Sequence, residues 1–247
     1  MINNLIRIKN YLFLLFSIGF IMFISFLKQN NNDSKLMIDN KDRFVNNDQI
    51  SQMVDEMLKD SLNNNLYDLE KKINSNDFIK KIEIFKNLNN IINIKIDQYK
   101  PYARLVNENG DDYYIDYTGE IFPTSIKYSE RVLLVNFHDI NKFTDEKNIK
   151  SFKKGDKIFK LIKYINNDSF LKKQISQINI LNDGEIIMIP QVTKQKIFFG
   201  KADEIALKFE KLNLFYKTIL PTKGWNYYES VNLKFKDQIV CNKNDNT

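Results

Sequence analysis

The chain is poor in the residues on which enzyme sites are usually built. Its 247 positions hold one cysteine, one histidine, one tryptophan, four prolines and seven glycines. A single thiol, Cys241, excludes an intrachain disulfide and a thiolate metal site made by one chain. The fold therefore rests on burial. Cys241 follows Ile239 and Val240 and reads as a strand residue acting as a small hydrophobe. The lone histidine, His138, stands beside Asp139 in LVNFHDI, where strand neighbours point to opposite faces. A His–Asp relay is disfavoured there, and His138 reads as structural or surface-exposed. The glycines are isolated, and no G-x-x-x-x-G-K phosphate loop occurs. The tightest carboxylate pairs are Asp111 with Asp112, Asp145 with Glu146 and Asp203 with Glu204. Turn and helix-start chemistry accounts for all three, because carboxylates satisfy free backbone amides there. No catalytic residue, metal ligand or cofactor-binding residue is expected, and the chain reads as a non-enzyme.

What is present is apolar and charged residues in folded proportions, 43% and 28%, with a net charge of +6. The excess lysine is spread along the chain and interleaved with acids, unlike the stripe of a nucleic-acid surface. Tyr11 to Leu27 is free of charge and carries twelve Leu, Ile or Phe among its seventeen residues. As a helix it rises about 25 Å, enough to cross a bilayer. Each such residue favours insertion by roughly 0.3–0.6 kcal/mol near the membrane centre. LKQNNNDSK follows without a small-x-small cleavage pattern, so a retained anchor, with Leu12, Phe16, Phe20, Phe23 and Leu27 in the lipid, is preferred to a cleaved signal. Charge bias leaves the orientation open, because Arg7 and Lys9 precede the span while Lys28, Lys35, Lys41 and Arg43 follow it.

Beyond a polar linker at 28–34, Lys35 to Asp39 fits a strand. Ile50, Met53, Val54, Met57 and Leu58 then form one apolar helical stripe, with Asn47 or Asp48 as its cap. A second helix opens at Asn65 with Leu66, Leu69 and Ile73 and breaks at Asn74, Ser75 and Asn76. KKIEIF and IINIKID alternate apolar and polar residues, and KNLNN joins them as a hairpin. The order is β-α-α-β-β. Further on, DKIFKLIKYI gives a helix with Ile158, Leu161, Ile162 and Ile165 on one face, and QISQINIL and EIIMIP give strands joined at Asn182-Asp183-Gly184. After KIFFG a helix opens near Ala202, with Ile205, Phe209, Leu212 and Tyr216 spaced to pack on a sheet.

An apolar span followed by β-α-α-β-β resembles the POTRA domain of the FtsQ/DivIB family. YKPYARL, Tyr99 to Leu105, is similar to the segment leaving that domain, with Lys100 where many members carry Arg. The hairpin FKNLNN lacks the proline common there. DDYYIDYTGEIFP, Asp111 to Pro123, resembles the next signature, and GWNYYESVNLKFKDQIV resembles the terminal strands of Bacteroidetes-type members. The resemblance implies an α+β chain: a cytoplasmic tail at 1–10, a transmembrane helix at 11–27, the linker at 28–34, a POTRA domain at 35–105, a mixed β domain with packed helices at 106–243, and a polar tail at 244–247.

It also implies a divisome scaffold, single-pass in the inner membrane at the septum, with its N-terminus cytoplasmic and its domains periplasmic. Its partners would be FtsB- and FtsL-like proteins, with others reaching the POTRA domain. In the family the terminal sheet region receives FtsB by strand addition, and Val231 to Val240 match it here. Partner contacts are expected at Lys234, Phe235, Lys236 and Gln238, with Trp225 and Tyr228 as further aromatic anchors. Val231, Leu233 and Phe235 share one face if the strand continues that far, which would place Phe235 in the core instead. POTRA domains also occur in outer-membrane assembly and secretion components, which require a following barrel or a tether. An envelope enzyme would require a deep pocket with convergent polar groups.

Overall fold

The computed structural model describes residues 13–25, 35–41, 43–59, 65–89, 91–107, 111–137, 147–152 and 154–244. Residues 13–25 form a helix, α1, whose side chains are exposed throughout except the half-buried Ser17. Phe16, Phe20 and Phe23 lie on it; Leu12 and Leu27 fall outside the described residues. Among the described residues no helix is long and apolar enough to cross a membrane. Beyond α1 the chain is a mixed α+β structure that divides into two units, parting between Gln98 and Tyr99.

The first unit runs β1 (Leu36–Asn40), α2 (Asn47–Lys59), α3 (Leu66–Asn74), β2 (Ile79–Lys86), β3 (Ile92–Gln98), the order read from the sequence. The sheet order is β1-β3-β2, with β1 parallel and β2 antiparallel to the central β3. Strand alternation puts Ile92, Ile94 and Ile96 inward, where they meet Ile50 and Val54 of α2 and Leu69 and Ile73 of α3 in the buried set. The cap of α2 is Asn46, one position before the expected pair. Asn46 Oδ1 accepts from the Gln49 amide at 2.9 Å, while Gln49 Oε1 accepts from the Asn46 amide at 3.1 Å. This reciprocal box satisfies two of the amides a helix start leaves open. Asn65 caps α3 by accepting from Tyr67 N.

The second unit holds a nine-stranded sheet. Its strands are β4 (Ala103–Val106), β5 (Tyr113–Ile115), β6 (Ile121–Pro123), β7 (Leu133–Phe137), β8 (Ile175–Ile180), β9 (Ile186–Pro190), β10 (Lys196–Gly200), β11 (Tyr228–Asn232) and β12 (Val240–Lys243). In space they run β12-β11-β10-β9-β8-β7-β4-β5-β6. β4, β7 and β8 are mutually parallel, β10 is parallel to β11, and the remaining pairs are antiparallel. The YKPYARL segment thus supplies β4 to this sheet, which is why the units part before Leu105. The β8–β9 hairpin turns at Asn182-Asp183-Gly184 as read, with Gly184 at φ +86, a conformation that suits a residue without Cβ.

Helix α4 (Gly155–Asn167) brings Ile158, Leu161, Ile162 and Ile165 into one buried cluster with the inward strand residues. A short α5 (Leu171–Gln174) leads into β8. The last helix is not continuous. α6 (Ile205–Leu214) widens into a π-turn over Phe215–Ile219 before α7 (Leu220–Lys223), where the Leu220 amide reaches back five residues to the Phe215 carbonyl. Pro221 follows immediately, and its missing N–H and ring oppose an ordinary i→i−4 turn at that point. The wide turn keeps both Phe215 and Tyr216 buried.

Candidate functional site

The large sheet has two ends of different character. At β6 the outer edge is covered: Ile121 N donates to Lys147 O at 2.9 Å, Ile149 N donates to Gly119 O at 2.9 Å, and Glu120 bridges Asn148. At the other end β12 is paired with β11 alone, so among the described residues its outer row of amides and carbonyls has no strand beside it. Such an edge is a template for another strand.

β11 stops at Asn232, and the chain turns through residues 233–239 before returning as β12. Leu233 is fully buried and its amide bonds Phe198 O at 2.9 Å, extending the ladder by one residue. Lys234 N then donates to Asn232 Oδ1 at 3.0 Å, an Asx-type turn that ends the strand. Phe235 therefore leaves the strand face shared by Val231 and Leu233, and it is 45% exposed where those two are buried. Lys236 and Gln238 are exposed in the same loop, and Asp237 takes a left-handed φ of 57.

Three contacts fix this loop. Lys211, on α6, donates to Leu233 O at 2.9 Å and Phe235 O at 2.6 Å. Lys234 Nζ pairs with Glu185 of the β8–β9 hairpin at 3.2 Å. The Lys234 stem lies over Gly200, where a Cβ would sit 2.8 Å from its Cγ; Gly200 has φ +79. The Lys211 hydrogen bonds and the Lys234–Glu185 pair thus hold the loop that carries the exposed Phe235 ring into β12.

The other two expected contacts lie at the opposite end of β11. Trp225, in the turn after α7, is 44% exposed, and its ring lies tilted against that of Tyr216 at 5.8 Å. Tyr228 opens β11, half-buried, with its ring against Phe215 and Tyr227 and its carbonyl accepting from Gln195 Nε2 at 3.2 Å. The six candidates therefore form two groups, Lys234 to Gln238 at one end of the strand and Trp225 with Tyr228 at the other. Cys241 sits on β12 opposite Val231, and burial pushes its thiol up, in keeping with an apolar role.

One member of each described carboxylate pair is committed to structure, while Glu204, at the start of α6, makes no side-chain cap. Asp112 accepts from Arg104 Nε at 2.8 Å and from the Asn107 amide at 3.0 Å, closing the β4–β5 hairpin. Asp203 is held below its usual range by its hydrogen bond with Lys208 at 2.5 Å. His138, Asp139, Asp145 and Glu146 fall outside the described residues. A cavity of about 100 Å³ lies between the start of α4, the β8–β9 hairpin and residues 201–203, with an apolar floor of Ile158, Ile180 and Ile186. Sequence reasoning missed Lys211, Glu185 and Gly200. They act from three distant segments, and no local pattern marks them.

The second unit is thus an open-edged mixed sheet with an exposed aromatic residue in the loop before its last strand. A family model described as FtsQ/DivIB, C-terminal related, matches residues 100–242, more than half of the chain. The chain belongs to the FtsQ/DivIB family and is a cell-division protein. No curated protein matches it.

Proposed function

We propose that the protein is a non-enzymatic divisome scaffold that captures FtsB- and FtsL-like partners by strand addition along β12. The observation that carries this reading is the open edge of β12 beside a loop pinned by Lys211. An added strand would gain main-chain hydrogen bonds from the edge and specificity from the side chains beside it. Phe235 is the apolar anchor, Lys234 and Lys236 meet acidic side chains, and Gln238 lies on the rim. Tyr228 stiffens the far end of the strand through Phe215.

The apolar run from Tyr11 to Leu27 is the membrane anchor in this reading, and the first unit, ending at Gln98, supplies a POTRA domain ahead of the β domain, which takes β4 as its first strand. The β1-β3-β2 sheet with two helices supports that assignment for the first unit. The N-terminus is cytoplasmic and the folded units lie outside the inner membrane, at the septum. Anchoring in the plane raises the local concentration of partners, so modest individual contacts suffice.

The test is capture of the extracytoplasmic part of the organism's FtsB-like protein by the full chain in detergent. Phe235→Ala and Lys234→Glu are each expected to weaken capture about tenfold or more, as for residues central to an interface. Unchanged capture by both variants, with the fold intact by circular dichroism, places the interface elsewhere. Absence of capture by the unaltered chain rejects the scaffold reading.

A further inference from the structure

The end of the large sheet opposite Phe235 has a chemistry of its own. Register fixes which residues meet there: β8 begins at Ile175 opposite Pro190, where β9 ends, and β11 begins at Tyr228 opposite Lys243, where β12 ends. α5 enters β8 at this end, and α7 delivers the turn that carries Trp225.

The rings form a connected group. Phe170 lies edge-on to Tyr216 at 5.6 Å, Tyr216 contacts Trp225 at 5.8 Å, and Tyr227 meets Tyr228 at 4.9 Å. Phe170 and Trp225 are 42% and 44% exposed, and Val192, in the β9–β10 turn, is 67% exposed. Around them stand Lys172, Lys173, Lys194, Lys217, Lys223 and Lys243, all exposed. Lys223 and Lys243 each place their ammonium 5.7 Å from the Tyr227 ring centre. None of the six is ion-paired among the described residues. The acids of these segments are Glu229 and Asp168, and Asp168 accepts from the Phe170 and Leu171 amides. These six lysines outnumber the two acids around exposed aromatic rings, so the end carries a local positive excess.

We infer that this end is a docking face for an anionic phospholipid surface, with Trp225 and Phe170 entering the headgroup layer and the lysines binding lipid phosphates. Tryptophan is enriched at that depth because its ring is apolar while its N–H stays hydrogen-bonded. Lysine stems lie along apolar surface with their charges at the phosphates, and each adds attraction to an anionic leaflet. An acidic protein would satisfy the charge equally well. The membrane is favoured because the rings are borne on separate short turns and not along a groove, and because the chain carries its own apolar anchor. The inference rests on the anchor proposed above.

Trp225 is the sole tryptophan, so its fluorescence reports this face alone. The full chain is reconstituted into vesicles of phosphatidylcholine, with and without phosphatidylglycerol, and tested for flotation and for quenching by lipids brominated high on the acyl chain. With phosphatidylglycerol, Trp225 emission is expected to shift to the blue and to be quenched. Added salt, or the double change Lys223→Glu and Lys243→Glu, should reverse both effects, whereas Phe235→Ala should leave them intact. Flotation with Trp225 unquenched and unshifted in both vesicles overturns the docking face and leaves the anchor standing. Failure to float with either vesicle overturns the anchor and this inference together. A blue shift produced without lipid by an acidic polypeptide, with no quenching in vesicles, assigns the face to a protein instead.

Discussion

Lys211 reaches from α6 to the carbonyl of Phe235, 2.6 Å from its ammonium, and the same ammonium holds Leu233 O at 2.9 Å. One helix residue thereby sets the path of the loop that presents the proposed anchor. A hydrogen bond made by a charged group contributes about 1.5–3 kcal/mol where it is well shielded. Lys211 is half-buried, so Lys211→Met is expected to lower stability by about 1 kcal/mol, after discounting for solvent. The sharper readout is local: amide exchange across residues 233–239 should quicken, and capture of the partner should weaken although Phe235 is unaltered. Unchanged exchange in that loop rejects the clamp.

Gly200 ends β10 at φ +79, beneath the stem of Lys234. An alanine there meets both a left-handed backbone and a Cγ at 2.8 Å. The cost of a non-glycine residue in this region is about 1–2 kcal/mol. Gly200→Ala should therefore lower the denaturant midpoint and also free Lys234 from Glu185, visible as a change in the salt dependence of partner capture. A midpoint equal to that of the unaltered chain would show that the loop relaxes without strain.

Local order was legible in the sequence where one period dominated. The alternation of Ile92, Ile94 and Ile96, the stripe of Ile158, Leu161, Ile162 and Ile165, and the Asn182-Asp183-Gly184 turn each name their element, because side-chain direction follows backbone period. The end of β11 was not legible. Val231, Leu233 and Phe235 keep the alternation, but Asn232 Oδ1 captures the Lys234 amide and the strand stops. A side chain bonding its own backbone competes with the ladder, and the pattern of apolar residues does not register that. The division of the candidate contacts into two ends was equally hidden, since it depends on β12 returning antiparallel to β11.

In the first unit, Gln98 spends its whole amide on one loop. Its Oε1 accepts from the Phe44 and Val45 amides at 2.9 and 3.1 Å, and its Nε2 donates to Asn40 Oδ1 at 2.6 Å and Val45 O at 2.7 Å. The side chain is 4% exposed, so these groups have little access to water. Gln98→Leu has similar bulk and leaves two amides without their acceptor, each costing about 1–3 kcal/mol when buried. A loss of about 2–4 kcal/mol is expected in thermal or urea unfolding of the first unit. Gln98→Glu should be milder at low pH, where a protonated carboxyl restores one donor, than at neutral pH.

Tyr216 links packing to alkaline stability. Burial pushes its phenol up to about 12, against a smaller opposing effect of the hydrogen bond from Gln174 Nε2 at 3.3 Å. A folded-state value above the unfolded one means that the folded chain keeps the proton longer. The contribution is fully present below pH 10, the ordinary value, and is lost as pH rises through about 12. A difference of that size corresponds to roughly 2–3 kcal/mol. Tyr216→Phe has no hydroxyl to ionise, so the fall in stability between pH 10 and 12 should be shallower in the variant. At neutral pH it should be weaker by about 1 kcal/mol, because Gln174 loses its acceptor. The two curves are expected to converge as pH rises, and urea unfolding across that range is the measurement. Parallel curves would mean that the phenol reaches water before it ionises, with the π-turn opening ahead of the rest of the unit.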